Sequence, residues 1–170
     1  MQDYLHKYNR YIKMPDGTDS NFKYIEFIRS DVAMRYGIDN EPSPFILSNI
    51  HEFVWNIGQP VRNEFGPVRI TSGYRCPELC LEIGSSTSSN HTQGTTADME
   101  PVSTSVKLVD MLNFIHNKCE YKELIAEFFP HGWIHGCYQK NYNNRSLKLK
   151  DNAHNYDRVS IDYINSLYKQ

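Results

Sequence analysis

The sequence predicts an α+β domain: a largely antiparallel sheet with helices packed on it. Two stretches place apolar residues at helical spacing, several short runs have strand character, and the connections between them are short. At 170 residues the chain fits one domain with a sizeable core.

Residues 1–20 are polar and carry the turn signal Pro15-Asp16-Gly17. They are expected to form an N-terminal extension, with the domain proper over 21–170. From Pro44 to Phe65, Ile46, Leu47, Ile50, Phe53, Val54, Ile57 and Val61 recur at helical spacing. That spacing predicts one long amphipathic helix, with a kink at Pro60. Gly66-Pro67 ends it, and Val68-Arg69-Ile70-Thr71 alternates as a strand should. Pro77 to Ile83 fits a short helix with proline in its first turn, and Gly84 to Gly94 is a Ser/Thr/Asn/Gly loop. Ala97-Asp98-Met99-Glu100 reads as a strand stopped by Pro101. Ser103 or Thr104 is expected to cap a helix running to about Asn117, with Val106, Val109, Leu112 and Ile115 inward. Leu124–Phe129 and Trp133–Tyr138 form two strands joined at Pro130-His131-Gly132. Residues 141–155 are mostly loop, with Leu147-Lys148-Leu149 a brief strand.

Composition narrows the function classes. Hydrophobic residues make up 39% of the chain, with 12 Tyr and 8 Phe, which is globular rather than disordered composition. A net charge of -2 without a basic stripe argues against nucleic acid as a partner. No apolar run approaches the ~20 residues that span a bilayer, and Met1 to Lys7 lacks a signal-peptide core. Cytoplasmic synthesis without a signal peptide is therefore the expectation. Cys76, Cys80, Cys119 and Cys137 form no paired CxxC knuckles, so they are expected to be buried or idle thiols.

The chemistry is carried by His91, Asp98 and His135. Two imidazoles and a carboxylate fill three corners of a tetrahedron around one Zn²⁺, and the fourth is left for water, as in catalytic zinc sites. A loop followed by a strand can bring His91 and Asp98 onto one ion, and hard oxygen with borderline nitrogen suits zinc. Taken alone, His91 reads as a solvated loop residue and Asp98 as a strand-end cap. His135 shares a strand face with Trp133 and Cys137, where an isolated histidine is more often a hydrogen-bonded core residue; as a third ligand beside His91 and Asp98 it turns the balance toward metal. The other histidines (His6, His51, His116 and His154) are expected to face solvent.

The run Ile70-Thr71-Ser72-Gly73-Tyr74-Arg75-Cys76-Pro77-Glu78-Leu79, then SxHxxGxxAD from Ser89 to Asp98, then WIHxxY from Trp133 to Tyr138, resembles the zinc D-Ala-D-Ala carboxypeptidase family. The similarity covers roughly residues 22 to 160 and is closest to phage and bacterial peptidoglycan peptidases. SGYR or WxH alone is weak; the three motifs in this order are specific. The resemblance implies a fold shared with hedgehog signalling domains and Zn²⁺-dependent cleavage of peptidoglycan stem peptides. It further implies action at the cell wall, with delivery by a holin-type pore or a virion; a monomer is expected. Departures fall at Cys80, Ser85, Thr96 and Gly136-Cys137, and none removes a proposed ligand.

A zinc peptidase needs a base to move a proton from water to the leaving amine. The chain has no His-Glu-x-x-His, so the base comes from elsewhere. Glu127 matches an acidic position of the family and is the first choice; its alternative is a surface carboxylate on an edge strand. His131 is the second, because some relatives place an auxiliary histidine near this ligand. Arg75 is assigned to the scissile carbonyl or a substrate carboxylate, against a structural ion pair with Glu78 or Glu100. Ser89, Tyr74 and Trp133 are expected to contact substrate, Ser89 equally to shape its loop and the aromatics equally to belong to the core. A non-catalytic wall-binding relative that keeps the fold is the rival reading.

Overall fold

The computed structural model describes residues 3–142, 144–150 and 156–168. Eight strands and seven α-helices are present among them: β1 Tyr11–Lys13, β2 Asp19–Lys23, α1 Ile25–Ile28, α2 Asp31–Tyr36, α3 Pro44–Phe53, α4 Gln59–Phe65, β3 Val68–Ser72, α5 Pro77–Glu82, β4 Thr96–Pro101, α6 Leu108–Lys118, β5 Glu123–Glu127, β6 Trp133–Cys137, β7 Ser146–Lys150, β8 Tyr156–Arg158 and α7 Ile161–Tyr168. The main sheet has the order β3-β4-β6-β5-β7-β8. Every neighbour pair is antiparallel except β5 with β7. This is the expected α+β, largely antiparallel architecture.

Strand alternation divides the sheet into two chemically distinct faces. Ala97, Met99, Leu124, Ala126, Ile134 and Leu147 pack against α3, α4 and α6 in the main core. Register puts Asp98 opposite His135, His135 opposite Ile125, and Ile125 opposite Lys148. That row runs across four strands on the other face, where the polar side chains gather.

Helix starts follow local capping chemistry. Ser43 accepts from the Ile46 amide ahead of Pro44, and Ser30 accepts from the Ala33 amide at the start of α2. The long helix expected over 44–65 is instead α3 and α4 joined by a π-helical turn, Val54–Gly58. Pro60 explains the widening: it has no N–H, and its ring clashes with the carbonyl four residues back in a regular α-helix. The helix expected to begin at Ser103 or Thr104 begins at Leu108, with no side-chain cap at Lys107. The Ser103 and Ser105 hydroxyls bond each other at 2.8 Å, and the Ser105 amide donates to Ser103 Oγ. This local turn competes with helix initiation.

Residues 3–20 are built into the domain. Asp16 and Gly17 make the expected turn, with Gly17 at φ 85° and Asp16 Oδ1 accepting from the Thr18 amide and hydroxyl. The hairpin β1–β2 carries Ile12 and Phe22 into the main core, beside Tyr8. His51 and His116 are not simply solvent-facing. Both are half-buried, the first bonded to the Tyr24 hydroxyl and the second, 2.6 Å away, to that of Tyr121. His6 is exposed, and His154 lies outside the described residues. All four cysteines are buried free thiols, and burial pushes Cys119 up to about 11.

Ile12 tests whether this first segment stabilises the domain. Ile12→Ala is expected to cost about 2–5 kcal/mol in urea unfolding, as for a buried aliphatic side chain. An unchanged midpoint would mean that the segment is only loosely attached.

Candidate metal centre and its cleft

His91 lies on a short 3₁₀ turn, Asn90–Gln93, that follows the loop after α5. Ser89 Oγ accepts from the His91 amide, and Gly94 closes the turn in the left-handed region at φ 68°. The His91 ring is oriented from behind: Nδ1 lies 2.6 Å from the carbonyl oxygen of Gly73 and donates to it. Nε2 is then an acceptor facing the cleft, and Arg75 Nη2 donates to it at 3.2 Å. Burial pushes the His91 pKa down, so the ring is neutral, the form that binds metal.

Asp98 comes from β4 and His135 from β6, directly opposite one another. Asp98 Oδ1 is 2.9 Å from His135 Nδ1, and Oδ2 is 3.4 Å from His91 Nε2. Burial alone would raise the Asp98 pKa, but the hydrogen bond with His135, together with the adjoining His91 imidazole, outweighs it and holds the carboxyl well below its usual range. The two imidazole rings stand 5.1 Å apart at an interplanar angle of 70°. Their ligand atoms and a carboxylate oxygen of Asp98 all lie within 4.8 Å of one another, and all three residues are buried.

Glu127 ends β5 in an interior position of the sheet and is buried, not on a surface edge. Its Oε2 accepts from Lys150 Nζ at 2.7 Å, while Oε1 lies 3.8 Å from His135 Nδ1. Four residues earlier, Glu123 has a parallel arrangement: Oε2 pairs with Lys148, and Oε1 lies 3.9 Å from His135 Nε2. The His135 ring is therefore flanked by two carboxylates, each backed by a lysine of β7. Burial would lower the Lys150 pKa, but bonds to Glu127 and Tyr156 prevail and keep it protonated. Sequence reasoning passed over Glu123, Lys148, Lys150 and Tyr156. The available signal was period-two alternation along 123–127 and 148–150, but nothing local says that these strands are neighbours.

These residues line one cleft of about 700 Å³, walled on its far side by Ser85, Ser86, Ser88 and Ser89. Arg75 and Trp133 line it too. Arg75 Nε donates to Ser72 Oγ at 2.8 Å and Nη2 to Asp98 Oδ2 at 3.0 Å, so its acidic partner is neither Glu78 nor Glu100. The Trp133 indole packs on Phe128, and its Nε1 is buried without a partner among the described residues. Tyr74 and His131 are not brought to the cleft. Tyr74 packs between the two core clusters and lines a neighbouring groove. His131 is exposed in a separate depression with Pro101, Lys107 and Tyr168.

A family model described as Peptidase M15 matches residues 20–136. The chain belongs to the peptidase M15 family. No curated protein gives a match. The match spans all three candidate ligands, Arg75 and Glu127, whereas Lys148, Lys150 and Tyr156 of the cleft lie beyond it. This M15 chain is accordingly a metallopeptidase of a zinc-dependent family.

The M15 cleft has the chemistry that zinc requires. Nitrogen and oxygen ligands about 2.0–2.2 Å from a tetrahedral ion stand roughly 3.4 Å apart. The 3.4 Å from Asp98 to His91 Nε2 matches that value, and the 2.9 Å from Asp98 to His135 Nδ1 is shorter, at hydrogen-bond length. Nδ1 of His91 is already committed to Gly73, which fixes the tautomer that leaves Nε2 free to ligate. The nitrogen of Arg75 between His91 Nε2 and Asp98 Oδ2 shows the attraction of this spot for positive charge.

Gly73 links backbone packing to ligand orientation. A Cβ there would collide with the Phe27 backbone. Gly73→Ala is therefore expected to destabilise the fold by about 1–3 kcal/mol and to weaken zinc binding roughly 10- to 100-fold by displacing the carbonyl behind His91. Thermal unfolding and calorimetric zinc titration of the variant check both effects.

Proposed function

We propose that the chain hydrolyses peptide bonds in the stem peptides of bacterial peptidoglycan, as a zinc-dependent carboxypeptidase or endopeptidase of the lysin type. The observation that carries this reading is the convergence of His91, Asp98 and His135 with a buried carboxylate, Glu127, beside the same histidine. Zinc held by the three ligands would polarise the scissile carbonyl and lower the pKa of a water molecule.

The chain's own groups supply the rest. Lys150 holds Oε2 of Glu127, so Oε1 is the oxygen turned toward the ligand cluster. That oxygen takes the proton from the attacking water and returns it to the leaving amine. Arg75, anchored by Ser72, presents the rest of its guanidinium to charge developing on the carbonyl oxygen. Trp133 and the serine wall from Ser85 to Ser89 bound the space in which the peptide lies. His131, exposed in a different depression, has no part in this scheme.

No helix among the described residues is long and apolar enough to cross a membrane. From the resemblance to phage and bacterial peptidoglycan peptidases, access to the wall is assigned to a holin-type pore or to a virion, with the enzyme acting as a monomer.

Glu127→Gln separates catalysis from metal binding. The variant is expected to keep zinc while losing about 10²–10⁴-fold in release of amines from purified peptidoglycan. Full activity in this variant would remove Glu127 as the base. Fully zinc-loaded wild-type protein that leaves sacculi and stem peptides intact would instead refute the peptidase assignment and favour a wall-binding role.

A further inference from the structure

Beside the metal cleft runs a second groove of about 670 Å³, and one of its walls is the segment Arg69–Arg75. The opposite wall is formed by residues of 25–32, among them Ile25, Arg29 and Val32. Arg75 and Ile83 line both cavities, so the two meet at the guanidinium assigned to the scissile carbonyl.

The wall is an open sheet edge. Among the described residues β3 is the terminal strand, with β4 on one side and no strand on the other. Its ends are occupied: Val68 O accepts from Arg62 Nη2 at 2.7 Å, and the Tyr74 amide donates to Phe27 O at 2.6 Å. Between them, backbone bonds outside the sheet ladder include none from Arg69 to Ser72 among the described residues. Four residues at ~3.3 Å each give about 13 Å of edge, room for roughly four residues of extended peptide. A bulge near Thr71 and Ser72 twists this edge as it approaches the metal cleft.

We propose that β3 is the docking strand for the substrate, whose backbone adds to the sheet at Arg69–Ser72 and passes Arg75 into the metal cleft. An exposed edge recognises peptide backbone through main-chain bonds, with pockets for alternate side chains. The continuity of the groove with the cleft selects the substrate as occupant, since a peptide cut at the metal by either a carboxypeptidase or an endopeptidase continues out of the cleft on the N-terminal side of the cut. Arg29 and Arg69, both largely exposed at the rim, are paired there with Asp31 at 3.1 Å and Glu100 at 3.9 Å, surface pairs that a peptide carrying carboxylates would compete for. The same segment holds the machinery in place: Gly73 O orients His91, and Ser72 Oγ anchors Arg75. Peptide seated on β3 therefore lies in fixed register with the reacting centre.

This inference rests on the peptidase reading above, and the test separates the two. Zinc-loaded, ¹⁵N-labelled Glu127→Gln protein would be titrated with the stem pentapeptide L-Ala-γ-D-Glu-L-Lys-D-Ala-D-Ala. The amide signals of Arg69–Ser72 should shift together with those of the serine wall, and their hydrogen exchange should slow at least tenfold at saturation. Shifts confined to the metal cleft, while wild-type enzyme cuts the same peptide, would overturn the docking strand alone. Neither cleavage nor binding of the peptide would overturn the peptidase reading and the docking strand with it. As a second measurement in otherwise wild-type protein, Arg69→Glu should raise KM for this peptide at least fivefold; an unchanged KM counts against the groove.

Discussion

The structure depends on the register between β4 and β6. Asp98 stands opposite His135, and a slip of one residue would send one of them to the apolar face among Met99 and Ile134. Burial enforces the pairing, because Ala97, Met99, Ile134 and Gly136 fill the other side of the same two strands against α3 and the π turn. Gly136 belongs to this fit: a Cβ there would press on Met99 Cε and reach toward Phe53 and Ile57. Packing on one face thus fixes the positions of two ligands on the other. The third ligand arrives from a loop and is held by a different device, the Gly73 carbonyl, whose strand is itself pinned to Phe27.

Electrostatics in the cleft follows from that register. Three carboxylates, Asp98, Glu123 and Glu127, surround one imidazole, an arrangement whose mutual repulsion needs compensation. Arg75, Lys148 and Lys150 supply it, each bonded to a different acid. The lysines come from β7, paired in parallel with β5 so that Glu123 meets Ser146 and Glu127 meets Lys150 across the ladder. Buried charges of one sign are tolerated because each has a partner of the other. A dication added to the balanced set would leave the cleft positive, which suits an anionic substrate.

What could be read from the chain alone was local or carried by motifs. His91 and Asp98 were legible because a loop followed by a strand can bring them onto one ion once a third ligand is at hand, and His135 because its WIH motif matched the family. Helix and strand positions followed periodicity, while their interruptions did not. The π turn at 54–58 arises from a backbone conflict at Pro60 whose outcome hydrophobic spacing does not encode, and the hydroxyl pairing of Ser103 with Ser105 delays α6 in a way that capping preference alone misses. Residues 3–13 read as a polar extension because single apolar residues, Tyr8 and Ile12, do the packing. Glu123, Lys148 and Lys150 stayed hidden because their meeting depends on a parallel pairing between strands separated by β6 and a loop.

X-ray absorption spectroscopy of the zinc-loaded protein tests the central claim most directly. Two imidazoles, one carboxylate oxygen and one further light atom at about 2.0–2.2 Å, without sulfur, are the expected shell. Failure to take up zinc, sulfur at about 2.3 Å, or an unaltered spectrum in the His135→Ala protein would contradict the assignment.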